Sequence, residues 1–373
     1  MKIAVFANNQ HPVTIHSGFG VESYCFSLVE GLVKRNHEVT LYASGDSQVP
    51  APVISVHPVG TAMDESLPKE FRNEYQDWLY LEAYNNSGKY DLMITNDPTR
   101  SVFYSNFSKT PSFSLVHSPW DTERYPIEVL KSLLNKDPKH YLIAISDYQQ
   151  KKTREAVEKV HTVLHGINVQ GIQFQENSQE YAVFLGRVNK RKGIDFAIDE
   201  CIKTHTNLKV SGFVAHEKEG LFLKQDLMPK IQNNANIEFL DAVVDTAKKF
   251  QLISQGKVFL FPIQWEEPFG LVLVESMASG TPVIAFARGS TPEIVKDGET
   301  GFLINASDDD IRGNWIVKKT GFEGLCEAIQ RIYSLPDDKY RIMRSSCRSH
   351  VEKHFTTDRM IQDYENLFST THI

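Results

Sequence analysis

The chain has 373 residues, 41% hydrophobic and 23% charged, enough apolar material for two ordinary cores and too much for long disordered tails. Its 40 Lys and Arg against 47 Asp and Glu leave a net charge of −7 with no basic run, which excludes the electrostatic footprint of a nucleic-acid binder. The four cysteines, Cys25, Cys201, Cys326 and Cys347, are widely scattered, so neither a zinc spacing nor a disulfide framework can be read, and a reducing, cytoplasmic setting is expected.

Residues 3–6 read as a strand, and that apolar run is too short for a secretory leader. A loop with Gly18 and Gly20 follows. Val21, Tyr24, Cys25, Leu28 and Leu32 then recur at helical spacing before a second strand at 39–42. Short apolar strands return at 92–94, 113–116, 141–145 and 162–164, several of them separated by helical stretches. A polar, Gln/Asn-rich stretch at 168–180 reads as a linker. The alternation restarts at 181–185 and continues through 208–210, 237–239, 258–261 and 282–285. Met360, Ile361, Tyr364, Leu367 and Phe368 mark a closing amphipathic helix. No apolar run nears the ~20 residues that span a bilayer, so no integral membrane segment is expected, and peripheral association stays open. The fold class is α/β, two doubly wound, Rossmann-like domains facing a cleft, with ligands expected at the strand ends.

The most informative stretch is residues 265–302, WEEPFGLVLVESMASGTPVIAFARGSTPEIVKDGETGF. Gly270 is expected just after a strand, opening a helix with Leu271, Val274 and Met277 that Gly280 stops before Pro282. The backbone N–H groups near Phe269, Gly270 and Leu271 then point at an anion, helped by the helix dipole. Glu267, in the preceding loop, suits sugar hydroxyls, and Glu275, in the helix, suits the paired hydroxyls of a ribose. Two glutamates so spaced also occur on solvated helices; the apolar neighbours from Leu271 to Val274 argue against a wet face for Glu275.

A second stretch, FLGRVNKRKG at 184–193, runs from a strand into a loop holding Arg187 and Lys192, bracketed by Gly186 and Gly193. Two fixed cations at a strand end suit a diphosphate and neutralise charge on a leaving group. A solvated basic turn is the alternative reading, and Lys190 and Arg191 are taken as its solvated members.

Together these stretches resemble the family 4 glycosyltransferases, retaining enzymes of the GT-B fold, strongly over 181–303 and plausibly over nearly the whole chain. The resemblance implies Arg187 and Lys192 on the nucleotide diphosphate, Glu275 on the ribose and Glu267 on donor-sugar hydroxyls. It implies that Phe269, Gly270 and Leu271 contact sugar and phosphate through their backbone. In the N-terminal half, HSGFG at 16–20 stands where the family has a Gly-rich loop facing donor phosphate and acceptor, which carries Gly18 and Gly20. LVHS at 115–118 resembles the family's strand ending in a histidine near the donor sugar, here His117. AISD at 144–147 and HGIN at 165–168 also match, with Asn168 where the family commonly has Asp.

Two features are set aside. Gly18-Phe19-Gly20 lacks the third glycine of a dinucleotide fingerprint, because position 23 is serine. The Asp308-Asp309-Asp310 run looks metal-binding but reads as a helix cap or solvated loop. The resemblance implies metal-independent transfer with no cofactor. The partners expected are a nucleotide-sugar donor, UDP-glucose first and GDP-mannose next, and a hydroxyl acceptor, and no nucleic acid. The domains are drawn as residues 1–170 plus the helix 355–373 on the acceptor side, and 171–354 for the donor. The base is expected near Phe239 to Val244, with Asp241 where the family usually has Gly. Residues 63–90 carry six acidic and three basic side chains and offer no anionic-lipid patch. A nucleotide-sugar epimerase of the same fold, or a binding-only homologue, are the rival readings.

Overall fold

Two parallel sheets organise the chain. In the computed structural model, which describes residues 1–17, 20–121, 125–240, 242–243 and 245–371, the backbone divides into two compact units. Residues Met1–Ile167 with Thr356–Ile373 form the first, and Asn168–Phe355 the second.

The first unit holds β1 (Lys2–Phe6), β2 (Glu38–Tyr42), β3 (Val53–Ile54), β4 (Leu92–Thr95), β5 (Ser112–Val116), β6 (His140–Ala144) and β7 (Val160–Thr162). They lie in the order β3-β2-β1-β4-β5-β6-β7, every pairing parallel. The second holds β8 (Ala182–Arg187), β9 (Leu208–Phe213), β10 (Ile237–Leu240), β11 (Val258–Phe261), β12 (Val283–Phe286) and β13 (Gly301–Ile304), in the order β10-β9-β8-β11-β12-β13. Each is a doubly wound sheet whose strand order reverses beside its first strand. Loops leaving the two strands at that point diverge and open a crevice at their carboxyl ends. Residues 3–6, 258–261 and 283–286 are buried without alternation, because helices cover both faces of a parallel sheet.

Thr357–Thr370, the closing helix, belongs to the first unit, where it packs on the helix Gly20–Lys34. Gly31 permits the approach, since a Cβ there would press on Ile361. The Tyr24 and Tyr364 hydroxyls meet at 2.6 Å in the same seam. Thr356 caps the helix by accepting the Arg359 N–H.

Local readings shift in three places. The strand expected at 162–164 runs over Val160–Thr162, where its residues pair with Leu142–Ala144 of β6. The stretch 168–180 is not a loose linker: Val169 and Ile172 are buried, Gly280 abuts the Phe174 ring, and the buried Arg344 donates to the Gln175 carbonyl. The short strand β3 gave no pattern of its own. Among the described residues no helix is long and apolar enough to cross a membrane.

Candidate functional site

The crevice of the second unit lies where β8 and β11 end, and the predicted donor residues gather there. Arg187 closes β8 in register with Phe213 of β9; it is a strand residue, not the loop residue expected, because the ladder continues through Gly186 and Gly212. Glu219 Oε1 lies 2.6 Å from its Nε. A tight turn over Lys190–Lys192 follows, capped by Asn189, whose side-chain oxygen accepts the Lys192 N–H. Lys190 and Arg191 are exposed, whereas Lys192 turns inward. Its Nζ sits 2.8 Å from Glu267 Oε2 and over the Trp265 ring at 5.1 Å. Gly193 takes φ +73 and faces the Pro262 carbonyl so closely that only glycine fits; Gly186, by contrast, has room for a Cβ.

Glu267 is buried, yet it has two donors, Lys192 Nζ and the Trp265 indole N–H, both at 2.8 Å on the same oxygen. That leaves Oε1 for a ligand hydroxyl. The backbone of this loop is fixed from below. Ser290 donates its N–H to the Glu267 carbonyl at 2.9 Å and its hydroxyl to the Phe269 carbonyl at 2.7 Å. The adjacent Glu266 accepts both terminal nitrogens of Arg312 at 2.7 Å and the Gly289 N–H at 2.7 Å. Asp310, from the acidic run, pairs with Arg312 and Arg288, and Asp308 accepts the Thr320 hydroxyl, so both serve the loop scaffold. Among the described residues no cluster of three or more His, Cys, Asp or Glu is arranged to hold a metal ion.

Gly270 follows β11 by a nine-residue interval rather than directly, and caps the helix Leu271–Ala278 in the left-handed region at φ +89. The Leu273 N–H bonds the Gly270 carbonyl at 2.9 Å, and the first N–H groups of a helix have no partner within it, a geometry able to take an anion. Glu275, one turn further on, pairs with Lys249 Nζ at 2.7 Å. Of the segment expected to hold the base, Phe239 and Leu240 close β10 and the Val243 N–H bonds the Ser211 hydroxyl. Asp241 and Val244 lie outside the described residues.

In the first unit, His117 directly follows β5. Its Nε2 meets Asn96 Oδ1 at 2.6 Å, and Asn96 Nδ2 donates to the Phe6 carbonyl and Cys25 Sγ. That network assigns the imidazole proton to Nε2 and leaves Nδ1 as the acceptor. His165 stacks on His117 at 5.5 Å, and Tyr24 packs on both. Burial pushes the His117 pKa down to about 4, so the ring is neutral at physiological pH. Gly20 begins the helix Gly20–Lys34; Gly18 and Phe19 lie outside the described residues.

The profile described as "Glycosyl transferases group 1" matches residues 169–312, and that described as "Glycosyltransferase Family 4" matches 19–170. The chain belongs to the family 4 glycosyltransferases. This glycosyltransferase is 26% identical to a phosphatidyl-myo-inositol mannosyltransferase of Mycobacterium leprae over 78% of its length and 80% of that protein's. It is 25% identical to a glycosyltransferase of Methanocaldococcus jannaschii, over 99% of this chain and 98% of the other. Among solved structures, Anabaena HepE in complex with UDP-glucose superposes with a TM-score of 0.74 at 18% identity, covering 99% of this chain and 100% of that one, a likeness that carries the GT-B fold.

Several neighbours of the site escaped the sequence reading. Glu219, Lys249 and Arg312 stand 32, 26 and 46 residues from the groups they touch, so no local spacing announces them. Trp265 was visible beside Glu267, but its indole contact depends on the loop's bend.

Two expected outcomes arise directly. Replacing Arg312 with alanine unpins Glu266 and loosens the loop that presents Glu267, so this glycosyltransferase should lose about tenfold in kcat with a small loss of stability. An unchanged kcat would remove Arg312 from the scaffold. The second concerns pH. His117 and His140 both have pKa values lowered to about 4, by burial first. An unfolded histidine protonates near 6.5, so between pH 6.5 and 4 the unfolded chain binds more protons and the first unit loses stability as pH falls. The loss approaches about 3 kcal/mol for each ring at the acid end. Urea unfolding at pH 7, 6 and 5 checks this, and a His117→Asn variant should show the shallower slope.

Proposed function

We propose that the enzyme transfers a hexosyl group from a nucleotide-diphosphate sugar to a hydroxyl acceptor with retention at the anomeric carbon. UDP-glucose is the first candidate donor and GDP-mannose the second. The observation that carries the reading is the Lys192–Glu267 contact of 2.8 Å at the strand-order reversal of the second unit. An ammonium beside a buried carboxylate supports a cation for the diphosphate next to a carboxylate for sugar hydroxyls. Arg187 and the helix N-terminus at Gly270 add positive potential for the leaving diphosphate, and Glu275, steadied by Lys249, receives the ribose diol. The Mycobacterium leprae relative is a mannosyltransferase, and HepE was solved with UDP-glucose, which supports a hexose donor.

The chemistry follows from charge. As the anomeric carbon–oxygen bond breaks, negative charge grows on the diphosphate, where Arg187, Lys192 and backbone N–H groups are already oriented. The acceptor hydroxyl attacks from the same face and gives its proton to the departing phosphate oxygen, so a covalent sugar–enzyme carboxylate is not needed. The cations take the part a metal plays elsewhere, and transfer is proposed to be metal-independent and cofactor-free. Neutral His117, with Nδ1 as acceptor, and Gly20 are proposed donor contacts from the first unit, which also binds the acceptor. Four unpaired, buried cysteines suit a reducing cytoplasm.

Thermal shift with UDP-glucose, GDP-mannose and other nucleotide sugars, followed by transfer to a saccharide panel, tests the proposal. NMR of the product should give the donor's anomeric configuration. Inversion would overturn the mechanism, and epimerised donor without acceptor would replace the function.

A further inference from the structure

Arg187 and Lys192 sit on separate stretches of backbone, one ending β8 and the other closing the following turn, and a single relay joins them. Asn189 Oδ1 accepts the Lys192 N–H at 3.0 Å, while its Nδ2 donates to Glu219 Oε1 at 3.1 Å. Glu219 Oε1 lies 2.6 Å from Arg187 Nε, and its other oxygen takes the Ala215 N–H at 2.8 Å. Glu219 is 8% exposed. Burial works against its charge, but the Ala215 N–H, the Asn189 amide and Arg187 outweigh burial and hold its pKa below the usual value.

The approach to Arg187 is peculiar in a useful way. The contact is made at Nε, the inner nitrogen of the guanidinium. Glu219 therefore holds the guanidinium by charge, at its base, and leaves the two terminal nitrogens to phosphate oxygens. A fixed anion this close also lowers the positive potential of the subsite. If the cations served only to collect a diphosphate, this carboxylate would be a liability.

We infer that Glu219 is a positioning residue for the diphosphate subsite, aiming Arg187 directly and setting the Lys192 turn through Asn189. This role rests on Arg187 and Lys192 holding the donor diphosphate. It has a signature that a merely structural role lacks. Removing the charge takes away a competitor for anions, so ground-state nucleotide binding holds or tightens. The aim of Arg187 counts most as charge builds on the leaving group, so turnover falls.

The variant Glu219→Gln keeps the hydrogen-bonding outline and removes the charge. UDP and GDP are titrated calorimetrically in parallel, and kcat is measured with the UDP-glucose or GDP-mannose donor of the tighter nucleotide. Rates are referred to the nucleotide-binding fraction, so partial unfolding does not mimic the effect. The expected result is a kcat about tenfold lower with nucleotide Kd within about threefold of the parent or tighter. Glu219→Asp, with its charge retained on a shorter arm, should recover part of that loss. In the double variant with Arg187→Ala, the glutamine should add clearly less than its own tenfold loss, because only the Lys192 arm of the relay through Asn189 remains. A parental kcat in Glu219→Gln, affinity falling in step with kcat, or losses that multiply in the double variant would each overturn the inference. Arg187→Ala and Lys192→Ala variants that both bind and turn over normally would instead remove the diphosphate reading beneath it.

Discussion

Replacing Lys192 with alanine should lower kcat by about a thousandfold and leave the second unit folded. The expectation follows from what the side chain touches. Its ammonium lies 2.8 Å from Glu267 and over the Trp265 and Phe261 rings, 5.1 and 5.9 Å from their centroids, so it is aimed and partly shielded from water. A preoriented charge in such a place stabilises a developing anion far more than a solvated lysine does, and losing one oriented group of this kind costs about a hundred- to a thousandfold. The fold should survive because Asn189 and Gly193 hold the turn through the backbone, and Glu267 keeps the Trp265 N–H. Lys192→Arg should restore little, since a planar fork does not fit where a compact ammonium bridges a carboxylate and two rings. Steady-state kcat with the matched donor, alongside thermal unfolding, decides it: transfer near the parental rate ends the role assigned to Lys192.

How far this was legible in sequence depends on the distance over which each feature is encoded. Sheets were readable because strands buried on both faces are unbroken apolar runs, as in residues 258–261 and 283–286. The candidate site residues could be named because the 184–193 and 265–302 stretches each hold them within one short run of sequence. What lay hidden was the partner of each charge. Lys192 and Glu267 were assigned separately, and nothing in their spacing of 75 residues says that they touch. Glu219 sits on the short helix Glu217–Phe222, in a stretch that offered no motif; only the return of β9 beside β8 brings it to Arg187. Likewise the 168–180 stretch read as a linker from its polarity, although the buried Arg344, 169 residues from Gln175, holds the Gln175 carbonyl.

The Gly193→Ala substitution should rank next after the loss of Lys192 in its effect on kcat, through geometry alone. Gly193 adopts φ +73, a conformation that costs alanine about 1 kcal/mol. The larger penalty is steric. A Cβ at this position overlaps the Pro262 carbonyl oxygen and crowds the proline ring, and both belong to the segment that leads from β11 toward Trp265 and Glu267. Neither side is a flexible side-chain tip, so relief comes from moving backbone: the Lys190–Lys192 turn backs away, or Pro262 does. Either movement separates Lys192 from Glu267, and a displacement of about 1 Å at a reacting group costs on the order of a hundredfold in rate. The Arg191 carbonyl also accepts the Gln264 N–H across the same gap at 2.8 Å, so that bond should lengthen with it. The variant should thus lose a few kcal/mol of stability in the second unit and at least a hundredfold in kcat, with nucleotide affinity reduced as well. The control is Gly186→Ala, seven positions earlier in the same stretch, where a Cβ finds only the Phe184 ring at 3.7 Å. Unfolding of the two variants should differ clearly, and equal stability and kcat would show that the close approach of Gly193 to Pro262 does not set the site.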